Sequence, residues 1–188
     1  MDSILVLEKE HENISKIIDL MKEKSIEFIN NKDINVEFVE LLIYILKEYA
    51  DKFHHRKEEE ILFKKMQEDL GRIGEVMVLN GMLVEHEIAR GIIFDLGQSI
   101  KEYEKERSDE NFVEVIGNLM GYRRHLQKHI EKENTVVYPY GKNNLSDERL
   151  KEVEDETIKF LEENKEVHNN LMEKIDKLFN MWCMRGIR

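Results

Sequence analysis

The sequence predicts an all-α fold: an up-down-up-down four-helix bundle with an additional C-terminal helix. Three observations carry that expectation. Apolar residues recur at helical spacing almost throughout the chain. Proline occurs once, at Pro139, while Glu, Lys, Leu and Ile dominate the composition. The polar connectors between long periodic segments are short, which favours antiparallel neighbours. Alternation at period two is weak everywhere, so no strand is expected.

The elements follow in order. Ile4, Leu7, His11, Ile14, Ile18, Met21 and Phe28 line one face of a first helix, which ends at Asn30-Asn31-Lys32-Asp33. Asp33 or Asn35 caps a second, running from about 36 to 69 and closed by Gly71. A third spans about 73 to 105, with Leu79, His86, Ile93 and Ile100 spaced by sevens. Ser108-Asp109 opens a fourth that reaches about Val137, where Pro139-Tyr140-Gly141 is expected to stop it. Ser146-Asp147 opens a fifth, amphipathic helix extending to about Met181. Residues 1–145 are thus read as the bundle and 146–188 as a helical extension packed on or beside it.

Composition narrows the function classes. The formal charge is −11 and no basic stripe faces outward, which argues against a nucleic-acid partner. A single cysteine, Cys183, forms no internal disulfide and fits a reducing cytosol. Met1-Asp2-Ser3 lacks the basic and long apolar regions of a signal peptide, and no stretch approaches the roughly 18 apolar residues of a membrane span. A cytoplasmic protein without a membrane partner is expected.

An internal repeat is the most informative feature. Shifted by 75 residues, Glu10-His11-Glu12 falls on Glu85-His86-Glu87, His54 on His129, Lys57-Glu58 on Lys132-Glu133, and Phe63 on Tyr138. Core positions follow: Ile4 falls on Leu79, Leu7 on Met82, Ile18 on Ile93 and Met21 on Leu96. The chain therefore reads as two helical hairpins of one design. Each supplies a His from its first helix and a His-x-x-x-Glu from its second.

Residues four apart share a helix face, so His54/Glu58 and His129/Glu133 each aim an imidazole and a carboxylate the same way. His11 and His86 lie on apolar stripes that face the interior. Burying two carboxylates without cations costs several kcal/mol each, and metal ions resolve that cost. Two carboxylates related by a pseudo-two-fold axis can bridge two metals, with imidazoles in terminal positions. Such a nitrogen/oxygen set suits Fe or Mn; Zn is an alternative, although its structural sites are usually closed and sulfur-rich. Taken singly, a His on an apolar face is more often a satisfied core residue, and a lone His-x-x-x-Glu is a common surface pair. Recurrence of all three members at one offset turns the reading towards metal.

The remaining histidines divide. His55 repeats as Ile130 and points about 100° from His54, which makes it a flanking residue. His125, one turn before His129, has two readings: a further terminal metal ligand that makes the metals inequivalent, or a hydrogen-bonding neighbour of the ligands. His168 is read as surface. Tyr122, Met21, Met82, Phe94 and Met120 are read as core packing.

His11, the run His54-His55-Arg56-Lys57-Glu58-Glu59-Glu60-Ile61-Leu62-Phe63, His86, and the run His129-Ile130-Glu131-Lys132-Glu133-Asn134-Thr135-Val136-Val137-Tyr138-Pro139 resemble the hemerythrin-like, or HHE cation-binding, family over about residues 3 to 140. The resemblance implies a four-helix bundle with a non-haem di-iron site, bridged by two carboxylates and usually by an oxo or hydroxo group. Within the family the pattern looks closer to proteins that repair damaged iron centres than to oxygen carriers. The carriers have a second His where this chain has Arg90, and an Asp five residues after the last His, where Glu133 stands at four.

Three functions compete on this basis. The first is binding or sensing of O2, NO or a related small oxidant. The second is a di-iron enzyme that reduces NO or peroxide, or repairs iron centres, with an electron donor as partner; Tyr122, Glu85 and Glu10 are its candidate proton donors. The third is iron storage or a structural metal site. A homodimer through the C-terminal helix is a further expectation.

Overall fold

The computed structural model describes residues 2–183, the side chains of Trp182 and Cys183 excepted, so the expectation about the Cys183 thiol falls outside what is described. All described secondary structure is helical. Helix α1 is Ser3–Asn31; Asp2 caps its start by accepting from the backbone N–H of Ile4 and Leu5, and Lys32, at φ 50°, ends it. Helix α2 covers residues 36–69 behind the Asn35 cap, which accepts from Phe38 N–H. Gly71, at φ 57°, turns the chain into α3, residues 71–105, a backbone conformation other residues rarely adopt. Ser108 caps α4, residues 109–144, through Asn111 N–H. Helices α5 (Asp147–Glu163, capped by Ser146) and α6 (Lys165–Cys183) complete the described chain.

Two boundaries differ from expectation. Helix α4 passes Pro139 and runs to Asn144. A wide turn at Glu133–Val137, in which Tyr138 N–H reaches back five residues to Glu133 O, sets the proline at the start of a fresh α-helical segment, where a missing N–H is tolerated. The expected fifth helix is two, because Asn164 (φ −107°, ψ 17°) leaves helical geometry and bonds its side chain to Phe160 O.

Similar π-type turns occupy Leu46–His55, Glu58–Leu62 and Met77–Met82. They shift the phase of the apolar stripe. Ahead of His86 the turn rotates Val78 inward and leaves Leu79 42% exposed, against its reading as core. Phe94 is also exposed, since Ile93 beside it takes the inward position.

Helix α1 packs on α2 and α4, and α3 packs on the same two; α5 lies against α1 and α2, and α6 against α2. The hydrocarbon interior forms two clusters. One holds Ile14, Met21, Leu46, Ala50, Ile93 and Leu126; the other Leu7, Leu62, Met66, Met82 and Val137. On each of the four long helices the repeat's ligand-type residues fall between them. A polar layer therefore divides the core, and it holds the chemistry.

Candidate metal centre

Each imidazole is held from behind. Nδ1 of His54 donates to Glu10 (2.8 Å), that of His129 to Glu85 (2.9 Å), that of His86 to Glu59 (2.6 Å) and that of His11 to the Asn134 side-chain oxygen (2.8 Å). A ring that spends its Nδ1 proton outward presents an Nε2 lone pair inward, as a metal ligand must. The repeat extends to this outer layer. Glu10 and Glu85 correspond, each paired with a lysine one turn after its histidine, Lys57 at 2.9 Å and Lys132. Glu59 and Asn134 correspond too.

The inward atoms converge. Nε2 of His11 and His54 lie 2.8 Å apart, and those of His86 and His129 3.1 Å. Each carboxylate reaches both halves. Glu133 Oε2 is 3.2 Å from His11 and 3.2 Å from His129, and Glu58 Oε2 is 3.6 Å from His54 and from His86. His11, His54, Glu58 and Glu133 place ligand-type atoms within 4.8 Å of one another, with His86 and His129 grouped beside them. Tyr138, the repeat partner of Phe63, donates its hydroxyl to Glu58 Oε1.

All six residues are buried, yet Glu58 Oε2 and both oxygens of Glu133 have no hydrogen-bond partner. Orphaned carboxylate oxygens amid four inward lone pairs are the donor set that hard or borderline divalent cations take, so these residues fit a metal pair. Without cations the layer divides its protons. Burial and the charge of Glu133 push Glu58 well above the ordinary carboxylate range. Burial opposes charge on Glu133, but the positive charge of His129 and the close imidazoles around it hold it well below that range. Burial opposes charge on His129, but Glu133 raises it to about 10; His11 is raised for the same reason. Burial and the neighbouring His11 hold His54 far below the usual range.

His125 does not join the cluster. Its Nε2 lies 2.8 Å from the backbone oxygen of Glu85, which engages the atom that would ligate. His55 departs from its flanking role: it is 2% exposed, because the wide turn at Leu46–His55 closes the angle between successive residues. One of its ring nitrogens lies within 4.8 Å of ligand-type atoms of His86 and His129. Its ring, however, stacks on His86 at 3.8 Å with planes 8° apart. A metal in the plane of the His86 ring would sit off the plane of His55, so His55 walls the site and is not shaped to ligate with His86.

His168 is half-buried against Phe53, and Tyr122 packs in the core. Sequence reasoning gave no role to Glu59, Asn134 and Tyr138. Their signal lay in the 75-residue offset, which pairs the first two and sets Tyr138 against Phe63.

No described helix is long and apolar enough to cross a membrane. No curated protein and no solved structure matches the chain. Residues 2–141 match the family model described as the hemerythrin HHE cation binding domain. That segment carries all six converging residues and most of the chain's length, and the chain belongs to the hemerythrin HHE cation-binding family.

Proposed function

We propose that the chain is a non-haem di-iron protein that binds or senses O2, NO or a related small oxidant at a two-iron centre bridged by Glu58 and Glu133. His11 and His54 would hold one ion, and His86 and His129 the other, within an up-down-up-down bundle. The carrying observation is that each orphaned carboxylate touches an imidazole from both halves. A reduced iron pair supplies electrons and open coordination positions. The chain's own residues fix imidazole direction through Glu10, Glu59, Glu85 and Asn134, and exclude water by burial.

Anaerobic reconstitution with Fe(II), metal analysis, and stopped-flow spectra on exposure to O2 and to NO test this. Two irons per chain and a spectral change with either gas are expected. No change with either gas removes the proposal.

One observation favours a second reading, an enzyme of oxidative or nitrosative stress defence of the iron-centre-repair type. The Tyr138 hydroxyl rests on Glu58, where a phenol can pass a proton to the site. Multiple turnovers of NO or peroxide with a reductant, slowed in Tyr138→Phe, would favour it over stoichiometric binding.

A further inference from the structure

The two halves of the repeat are not equally filled. Beside the His86/His129 half lies a cavity of about 250 Å3, lined by Leu46, Asp51, His55, Ala89, Ile93 and Tyr122 with Arg90 at its wall. Shifted by 75 residues, three of these positions carry larger or apolar groups in the other half. Ala89 corresponds to Ile14, His55 to Ile130 and Asp51 to Leu126. Ile14, Ile130 and Leu126 are all buried core residues. Hydrocarbon thus fills the equivalent space beside His11/His54, and the chain departs from its own repeat where the cavity opens.

The chemistry of the walls selects the occupant. Hydrocarbon dominates, and the two half-buried charged groups on the wall, Arg90 and Asp51, are spent on each other: Arg90 bonds Asp51 at 2.9 Å and Glu59 at 2.7 Å. Lys52 at the rim pairs with Glu48. Exposed Lys47 also lines the opening, but the buried part of the wall carries no unpaired charge to hold an ion, so a small neutral molecule fits it best. The volume is many times the roughly 30 Å3 share of a water, and apolar cavities of this order take up gases.

At the inner end stands His55. The four histidines of the metal centre are each pinned by an Nδ1 hydrogen bond, whereas buried His55 Nδ1 has none; Asp51 Oδ1 lies 3.6 Å away. An unpinned ring, one stacking distance from His86, separates the cavity from the second metal position.

We infer that this cavity is the holding site and route by which a neutral diatomic molecule reaches the His86/His129 half of the centre, with His55 as the gate. The inference rests on the proposed function for the identity of the molecule, but the cavity's capacity stands apart from it.

Xenon reads the cavity directly. In the full-length metal-loaded chain, xenon should shift the methyl resonances of Ala89 and Ile93 and leave those of Ile14 unmoved; unshifted Ala89 and Ile93 methyls overturn the proposal. Ala89→Ile copies the residue used by the other half. It should abolish the xenon effect and slow NO or O2 association with the reduced loaded protein tenfold or more, at unchanged metal content. Association as fast as in the parent overturns the route. Should the isoleucine variant not fold, His55→Ile, the other restoring change, carries the same kinetic test. If the loaded protein ignores both gases while xenon enters, the functional reading fails and the route fails with it, leaving the cavity alone.

Discussion

Glu59 and Asn134 hold the same place in the two halves of the repeat, and each accepts a hydrogen bond from an imidazole Nδ1, but one is a carboxylate and the other an amide. The charge behind His86 makes that imidazole the stronger electron donor, so the two metal positions of the proposed centre would differ although their inner ligands are alike. Glu59→Gln should remove the difference. We expect it to weaken one of two metal-binding events by about 10- to 100-fold, the usual range for such partners. Stepwise calorimetric titration with Zn(II) checks this, and equal weakening of both steps would contradict it.

Lys57 and Lys132 make a second unequal pair. Lys57 is buried, stacked over Phe53 at 3.6 Å and covered by Phe160 of α5, and it neutralises buried Glu10. Lys132 is 46% exposed over Glu85. Lys57→Met should cost about 3–5 kcal/mol, because it strands a buried carboxylate. Lys132→Met should cost about 0–1 kcal/mol. Denaturant unfolding of both variants measures the contrast; equal costs would mean that α5 does not seal Lys57.

Loading the metal-free protein should release protons. His129, raised to about 10, carries a proton at pH 7 before loading, and His11 and Glu58 are both shifted upward, towards their protonated forms. Ligation requires each to lose its proton. At least about one proton per chain, that of His129, is expected at pH 7, with competition strongest at low pH and relieved as pH rises through about 10. Indicator-dye titration with Zn(II) in weak buffer counts them, and a count near zero would refute the assignment.

Asp51 supplies an acid-sensitive contact outside the ligand set. Burial opposes its charge, but His55 and Arg90 lower it to about 2. A depressed value means stability present above the unfolded carboxylate range near 3.9 and lost as pH falls through about 2. Its half-exposure limits the effect to about 1 kcal/mol. Asp51→Asn should therefore be less stable than the parent at pH 7, and the gap should close between pH 4 and pH 2 in thermal melts.

Much of the molecule was legible beforehand because two periodicities were superimposed. The helical period placed the elements, and the 75-residue offset selected His11, His54, Glu58, His86, His129 and Glu133 from a background of charged residues. Much of what escaped has one physical source. An α-helical wheel turns about 100° per residue, and four turns here are wider. The error accumulates near them: His55 moves inward, Leu79 outward, and Pro139 becomes tolerable. His125 stood between two readings, and a backbone oxygen on another helix favours the hydrogen-bonding one; periodicity carries no trace of such a partner.

The divided interior has its own consequence. Two oily slabs separated by a polar seam lack the continuous contact that makes a small protein melt as one block. Ions in the seam would act as a bolt drawn through both slabs, so the sharpness of unfolding, and not only its midpoint, would report whether the bolt is in place.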